Sequence, residues 1–529
     1  MDKKNTEKII QDLIKNNPKT SKDFLAWKRK ISKKYNISLL KNSEIIDVGT
    51  RHGVFKKNSK LLTLLKKRAV RTSSGVSIIT VLTKPYKCPG NCIYCPSEPK
   101  MPKSYLSNEP AAQRAFKLKF NAIKQVQMRI KALEANGHQV DKIELLVLGG
   151  SFTAYTDKYK NDFIRDCFFA ANSFSSLSFP RKRESRRALS QEQKINEKAK
   201  YKIIGLTLET RPDEINEKVI KNFRKLGCTR VQLGIQHIDN KILKLNRRGH
   251  GVEESIMATR LLKENGFKVD HHYMPDLPGS TPAKDLAMMK QVFTDLDFKP
   301  DQIKLYPCVV NKYAEIYKLY KNKKYKPYSE KQLFNLLKNI KKITPYWVRI
   351  NRLVRDIPAD SIIAGNRITN LRQYLKKEVK CKCIRCREVG TRHGAFFPKA
   401  GKLFIIKYKA SGGTEYFISY ESANRKILYG FLRLRFNNRN TQPVFQVLKN
   451  SAIIRELHVY GQMLPVGDNI KAVQHSGLGK KLMQEAEKIS KKRPYRAKKI
   501  AVISGIGVRG YYKKLGYKLK DTYLVKKLI

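Results

Sequence analysis

Short apolar runs alternate with amphipathic stretches along the middle of the chain. The apolar runs are 75–83 ("GVSIITVLT"), 142–151 ("KIELLVLGGS"), 201–210 ("YKIIGLTLET"), 229–237 ("TRVQLGIQH"), 267–279 ("FKVDHHYMPDLPG") and 302–310 ("QIKLYPCVV"). Their length and near-continuous apolar character predict strands buried on both faces. Between them lie segments of helical period, such as 111–137, which stops at Gly137, 213–226 and 253–265. Strand–helix alternation predicts a parallel sheet covered by helices, and six such strands predict a partial or full β/α barrel. Functional residues then belong at the carboxyl ends of the strands. The pattern changes after residue 400. "KLFIIKYKA" (402–410), "EYFISYES" (415–422), "ILYGFLRLRF" (427–436) and "SAIIRELHVYG" (451–461) read as successive antiparallel strands. A helix at 477–492 and a strand at 499–507 follow. Residues 1–75 read as short Lys-rich helices, and 173–191 ("SFSSLSFPRKRESRRALSQ") has no period and reads as an inserted surface loop.

Charge narrows the partners. The 529 residues carry 110 Lys and Arg against 44 Asp and Glu, a formal net charge of +66, with an ordinary hydrophobic content of 41%. A Lys-rich proteome would raise the charge too, but the simplest partner of so basic a protein is nucleic acid. The basic residues are spread through structured segments, which argues against a detachable tail. The chain contains no apolar run long enough for a membrane span and opens without a signal-peptide core, so a cytoplasmic protein is expected. In a reducing compartment its nine cysteines point to metal or catalysis rather than disulfides.

Three of them, Cys88, Cys92 and Cys95, stand in "CPGNCIYCP", directly after the first predicted strand. Soft thiolates select zinc or an iron–sulfur cluster. A closed zinc site needs a fourth ligand, and this loop offers three. A 4Fe–4S cube held by three cysteines keeps one iron open. The C-x₃-C-x₂-C spacing after the first strand of a β/α barrel resembles the radical S-adenosylmethionine (SAM) superfamily, in which the open iron chelates SAM and an electron cleaves it to a 5′-deoxyadenosyl radical. Gly149 and Gly150 match the glycine pair that accommodates the methionyl end of SAM, although Ser151 stands where the superfamily usually has an acid. Glu209, Arg211, Gln232 and Gln236 fall at strand ends suited to SAM contacts.

A second motif, "QHSGLGK" (474–480), opens the amphipathic helix of the C-terminal region. Glycines at a helix start let backbone N–H groups approach a pyrophosphate. With its flanking strands and "GYYKKLGY", it resembles the GNAT acetyltransferases, whose corresponding loop binds coenzyme A. Gln474, Gly477, Leu478, Gly479 and Lys480 would make that loop. Glu456, Leu457, His458 and Val459 would be the strand beside the pantetheine arm, and Tyr512 would lie near the thioester sulfur, with Tyr511 adjacent. A third cluster, Cys381, Cys383 and Cys386, needs a fourth donor for a structural zinc. Cys308 is the candidate donor and His393 the alternative, and such a site would pin the linker to the barrel. Cys167 and Cys228 read as ordinary buried thiols.

A radical SAM loop and a GNAT domain in one chain resemble the catalytic subunit of the Elongator complex, the tRNA uridine(34) acetyltransferase family. "CPGNCIYCPSEPKMPKSY", "DKIELLVLGGSF", "LTLETRPD", "NRRGH", "RELHVYG" and "AVISGIGVRGYYKKLGY" carry the resemblance, which runs over most of the chain. It implies a fold of partial β/α barrel followed by an α+β acetyltransferase domain. The divisions are a basic tRNA-binding region (1–75), a radical SAM domain (76–375), a zinc-binding linker (376–400) and a GNAT domain (401–529). It implies addition of a carboxymethyl group to C5 of the wobble uridine of tRNA, read at the anticodon stem-loop, from acetyl-CoA and the SAM-derived radical. It places acetyl-CoA contacts on Lys142, Glu456–Val459, Leu478–Lys480 and Tyr512, and catalytic roles on Cys88, Cys92, Cys95, Lys142, Tyr511 and Tyr512. The cysteine-rich linker suggests a free-standing prokaryotic form, and a homodimer is compatible with it. The rival readings are a protein lysine acetyltransferase with a structural cluster and a non-enzymatic RNA-binding protein.

Overall fold

A computed structural model describes residues 3–57, 59–66, 72, 74–174, 187–391, 401–461 and 477–528. The expected parallel sheet is present and has seven strands: β1 (Ser77–Leu82), β2 (Lys142–Leu148), β3 (Lys202–Thr210), β4 (Arg230–Gln236), β5 (Lys268–Tyr273), β6 (Gln302–Leu305) and β7 (Arg349–Arg352). They pair in sequence order, each parallel to the next, from Ser77 opposite Ile143 to Ile303 opposite Ile350. Among the described residues β1 and β7 end the order without pairing each other, so the barrel is partial and open along one flank. β7 escapes hydrophobic patterning because it is four residues long and reads "RINR", with only Ile350 turned to the core. The outward faces of the strands, including Ile79, Leu145, Leu208, Val231, Val269 and Ile303, form one core with the covering helices.

The helical stretch expected at 111–137 is two helices, Pro110–Lys117 and Ala122–Ala135. Lys119 and Phe120 take positive φ between them, and the Asn121 side chain accepts from the Lys124 N–H to start the second. Of the segment at 173–191, residues 175–186 lie outside the described residues. Its end is not loop, because a helix begins at Leu189 and its Asn196 is buried in hydrogen bonds to Asn172, Tyr201 and Ile203. The N-terminal helices form a core of their own around Leu13, Phe24, Trp27, Ile45 and Leu65. No helix among the described residues is long and apolar enough to cross a membrane.

A second sheet has the order β13-β14-β12-β11-β10-β9-β8, with β8 (Lys402–Ala410), β9 (Gly413–Glu421), β10 (Leu428–Asn437), β11 (Ser451–Val459), β12 (Lys499–Val502), β13 (Lys518–Lys520) and β14 (Tyr523–Lys527). Only β11 and β12 pair in parallel; the rest are antiparallel. The Leu478–Lys491 helix covers one face through Leu478, Leu482, Met483 and Ala486. The other face sits on the amino ends of the barrel strands.

That junction is ionic and dry. In β11 the register against β10 slips, so that Arg433 faces Glu456 and Leu434 faces Ile454, leaving Arg455 as the extra residue of a bulge. The bulge aims Arg455 across the junction. Its guanidinium donates to Asp301 Oδ1 at 2.9 Å, to Glu415 Oε2 at 2.9 Å and to the Phe267 carbonyl at 2.6 Å. Arg435 donates to Glu415 at 3.0 Å, and Arg433 to Glu456 at 2.9 Å and to the Trp347 carbonyl at 2.7 Å. Against the opposing pull of burial, these arginines with Lys263 hold the carboxyls of Asp301 and Glu415 below the usual range, and Lys268 with Arg433 does the same for Glu456.

Removing Arg455 (Arg455→Met) leaves Asp301 and Glu415 short of a partner in a dry interface. The expected loss is about 3–5 kcal/mol, read as a lower urea midpoint with both domains affected. A change within error would show that the junction does not depend on this lattice. A second prediction concerns acid. His271 is buried, within 2.9 Å of Thr259 Oγ1 and 3.0 Å of Tyr273 OH, and burial with nearby Lys263 depresses it to about 3. The unfolded chain protonates this histidine near its ordinary value of about 6.5, while the fold cannot. Its contribution is therefore present above that value and is lost as pH falls toward 3. Between pH 7 and 5 the urea midpoint should decline, and His271→Gln should make the decline shallower; equal slopes would refute this assignment.

Candidate active site

The loop after β1 carries the first cysteine cluster to the carboxyl mouth of the barrel. Thr83 N–H donates to the Leu148 carbonyl at 3.0 Å, tying the start of the loop to the end of β2. Cys95 N–H closes a turn on the Cys92 carbonyl at 3.1 Å, and Ile93 is clamped between Asn246 and Ile316 by backbone hydrogen bonds. Cys88, Cys92 and Cys95 all line one cavity of about 790 Å³. Burial and the neighbouring Cys92 push the Cys95 thiol up to about 12. Arg248 Nη1 lies 3.5 Å from Cys92 Sγ and supplies positive charge. A soft donor set of three, turned into a cavity with a cation behind it, suits a cluster whose iron carries the compensating charge.

The residues expected around SAM gather at the same mouth. Gly149 and Gly150 close β2 with φ of +133° and +91°, where a side chain is strained, and a Cβ on Gly149 would fall 2.0 Å from Thr83 Oγ1. Gly150, Ser151, Glu209, Arg211, Gln232 and Gln236 line the cavity. Arg211 is braced by Asp213 at 2.7 Å, yet its Nη1 is buried without a partner beside Gly90, where a Cβ would meet it at 2.0 Å. Glu209 accepts from Tyr105 OH at 3.2 Å, and burial raises its carboxyl. Gln236 Oε1 has no partner, whereas Gln232 already accepts from Lys304 Nζ at 2.7 Å. Gln232 is thus part of the wall.

On the second domain, Glu456 and His458 face the same cavity, and His458 Nε2 lies 3.1 Å from the Ser74 carbonyl. Leu457 and Val459 turn the other way, into the second domain's core. Gly477 takes φ +74° at the start of the Leu478–Lys491 helix, and Lys480 is exposed on its first turn. A Cβ on Gly479 would lie 2.7 Å from Tyr511 OH. Tyr511 therefore brings a hydroxyl to the glycine loop, while Tyr512 is buried in the core beside Tyr517. Gln474 lies outside the described residues. Lys142 starts β2 opposite Lys202 at the amino end of the barrel, away from the cysteines; Lys202 in turn touches Gly507 of the second domain.

Cys381, Cys383 and Cys386 bring their sulfurs within 4.8 Å of one another, the spacing of ligands around a single ion. Cys308 does not join them, contrary to expectation. Its N–H bonds the Pro275 carbonyl at the carboxyl end of the barrel, and its side chain is buried with Cys92 and Tyr325. The trio sits at the other end, where Ile384 N–H bonds the Val348 carbonyl just before β7. His393 lies outside the described residues. Lys341 Nζ, 3.7 Å from Cys386 Sγ, is the nearby cation.

Sequence reasoning missed Arg248, His272, Lys304, Arg349 and Asn351, all of which line the cavity. For the four on strands the signal was polar residues at alternate positions of otherwise apolar strands, as in "KVDHHY" and "QIKL", which mark an inward face; Arg248 lies on the loop after the Asn240–Leu245 helix, where no period marks it.

Comparison with known proteins agrees with this geometry. Residues 82–291 match the radical SAM superfamily and residues 300–380 the radical SAM C-terminal domain. The chain is 43% identical over 504 residues to tRNA uridine(34) acetyltransferase of Methanocaldococcus infernus, covering 92% of this chain and 91% of that protein. It is 41% identical to the protein of that name from Dehalococcoides mccartyi, covering 87% of this chain and 100% of that protein. It is 37% identical to human Elongator complex protein 3, covering 88% and 87%. Among solved structures it matches archaeal Elp3 of M. infernus lacking residues 1–46, with a TM-score of 0.74 and 41% identity, over 86% of this chain and 99% of that one.

Proposed function

Because the chain belongs to the family of tRNA uridine(34) acetyltransferases and Elongator complex protein 3, we propose that it modifies the wobble uridine of tRNA, adding a carboxymethyl group at C5 with acetyl-CoA as the carbon source. The observation that carries this reading is the single cavity shared by the cysteine loop of the barrel and by Glu456 and His458 of the second domain. A radical site and an acyl site serve one reaction only if a reactant can reach both.

When bound on Cys88, Cys92 and Cys95, a 4Fe–4S cluster supplies the electron that splits SAM into methionine and a 5′-deoxyadenosyl radical. The chain's own residues shape the space around it. Gly149 and Gly150 leave room for the amino-acid end of SAM. Arg211, braced on Asp213 with Nη1 unpartnered, and Gln236 offer polar contacts at the mouth. On the second domain, the N–H groups of Gly477–Lys480 at the start of a 14-residue helix suit the coenzyme A pyrophosphate. Lys480 adds charge there and Tyr511 a hydroxyl beside Gly479, Lys142 is assigned a phosphate contact, and Tyr512 is assigned to the thioester end. Glu456–Val459 offers the strand for the pantetheine arm.

The tRNA is held by charge. Arg114, Arg129, Arg352 and Arg385 line the cavity, and the N-terminal helices add exposed lysines such as Lys30 and Lys33. Phosphate contacts give affinity without sequence, so selectivity rests on an unpaired anticodon-loop base entering the pocket. The Cys381, Cys383 and Cys386 trio takes a structural zinc, and the enzyme works in the cytoplasm, where its thiols stay reduced.

Anaerobic incubation with SAM, acetyl-CoA, a reductant and tRNA should yield carboxymethyluridine and 5′-deoxyadenosine. Acetyl-lysine formation without either product would point to protein acetylation instead. Cys92→Ala should abolish 5′-deoxyadenosine and leave tRNA binding largely intact; retained 5′-deoxyadenosine would remove the cysteine loop from the mechanism. Metal analysis should find stoichiometric zinc, and Cys383→Ser should lose it together with thermal stability, since a structural ion contributes folding energy. Unchanged zinc in Cys383→Ser would place the ion elsewhere.

A further inference from the structure

The residues assigned to SAM close β2, β3 and β4. Farther round the same cavity, the inward residues of β5 and β6 have no assigned ligand. His272 and Lys304 stand there as register neighbours, each one residue short of the carboxyl end of its strand. Both line the cavity, together with Tyr306 just past β6. The His272 ring meets the Tyr306 ring nearly edge-on, at 5.4 Å and 72°. Burial, with Lys304 beside it, depresses His272 well below its ordinary value, so this imidazole is neutral.

Lys304 is the odd member of this wall. It is 8% exposed, and its Nζ donates to Gln232 Oε1 at 2.7 Å. That amide is uncharged, and among the described residues no carboxylate forms an ion pair with Lys304. By contrast, Lys263 is paired with Glu415 at 3.8 Å and Lys268 with Glu456 at 3.7 Å. An ammonium is costly to bury on a neutral acceptor. It has three N–H groups and no acceptor of its own. With one N–H given to Gln232, the others remain for a molecule in the cavity.

We propose that Lys304 selects uracil over cytosine by donating a hydrogen bond to O4 of the wobble pyrimidine. The inference rests on the wobble-uridine reading above and names the group that reads the base. O4 stands on C4, next to the C5 that is modified, so one hydrogen bond both tests the base and fixes the reacting carbon beside it. Cytosine carries an amino group in place of O4. Its N–H bonds would point at the ammonium, donor against donor, and the buried charge would stay without a partner. Phosphate contacts cannot make this distinction, since both nucleotides share one backbone.

Substrates altered at one atom test this on the unaltered protein. The holoenzyme, with its cluster, SAM, acetyl-CoA and a reductant, is given tRNA carrying uridine, 2-thiouridine or 4-thiouridine at the wobble position, and product nucleosides are quantified by mass spectrometry. Sulfur accepts a hydrogen bond more weakly than oxygen. 4-Thiouridine should therefore react about tenfold more slowly than uridine, and 2-thiouridine at nearly the uridine rate. Lys304→Met and Lys304→Gln are then compared on wobble uridine and wobble cytidine. The unaltered enzyme should prefer uridine by on the order of 100-fold in kcat/KM. Lys304→Met should lose most of that preference through a slower reaction of uridine. Lys304→Gln, whose amide oxygen accepts from an amino group, should bring cytidine to within about threefold of uridine. In both variants 5′-deoxyadenosine formation and tRNA affinity should stay within about threefold, because Lys304 is assigned neither SAM nor phosphate. Equal rates on uridine and 4-thiouridine, or an unchanged uridine-to-cytidine ratio in both variants, would overturn the inference and leave the wobble-uridine reading standing. Loss of 5′-deoxyadenosine in both variants would overturn it too, by placing Lys304 at SAM. If the unaltered enzyme makes no carboxymethyluridine from uridine, both fall.

Discussion

The arrangement depends on a buried lattice of charge between the two sheets. Arg433, Arg435, Arg455 and Lys263 meet Asp301, Glu415 and Glu456 with almost no exposure to water. Each ion loses several kcal/mol of hydration on burial, which only close, correctly directed partners offset. Further N–H groups go to the carbonyls of Phe267, Trp347, Ala410 and Ser411, while Arg433 Nη1 and Arg455 Nε are buried without a hydrogen-bond partner. A lattice of this kind has no second register. Sliding one sheet by a residue would strand several charges at once, so the domains are locked at one distance and angle. The same burial splits the ionisations: Lys263 falls to about 8, while the Asp301 and Glu415 carboxyls are held down by the arginines between them.

Locking the domains brings their two working faces onto one space. The cysteine loop lies at the carboxyl mouth, and the Glu456 and His458 face of β11 lies at the amino base. A barrel with an apolar plug would separate them. Here many inward positions are polar, and Glu144, Arg230, Gln232, Gln302 and Lys304 stay in the fold because they engage one another. Asn351 donates to Asp270 at 2.8 Å and to Gln302 at 2.6 Å, extending the chain of contacts from Lys304 to Arg230. Such a network rigidifies a wall when satisfied and destabilises it when broken. β1 and β7 do not pair, and the segments that follow them are tied instead by Arg355, which donates to Glu109 at 2.7 Å, and by Asn108, which donates to Ser361 at 2.6 Å.

Much of this is legible in the amino-acid sequence. Hydrophobic period located six of the seven parallel strands and the antiparallel run after residue 400, because burial on a sheet or helix face is a local property with a local period. The C-x₃-C-x₂-C loop and the glycine helix start were legible because ligand spacing and close backbone approach constrain neighbours in sequence. β7 was not, since "RINR" carries one apolar residue and is recruited as a strand by pairing with β6.

The sequence by itself determined the elements, the soft donor loop, the basic charge and the family they belong to. The tertiary structure alone decided which distant groups meet. Arg455 and Asp301 are 154 residues apart, and no period links them. Cys308 had the right chemistry for a zinc ligand but lies past the carboxyl end of β6, while the cysteine trio sits before β7 at the amino end. Tyr511 and Tyr512 are adjacent, yet one reaches Gly479 and the other fills the core. In each case the deciding quantity is distance after folding, which is set by packing and by the need to pair buried charge, and neither is written in the order of neighbouring residues.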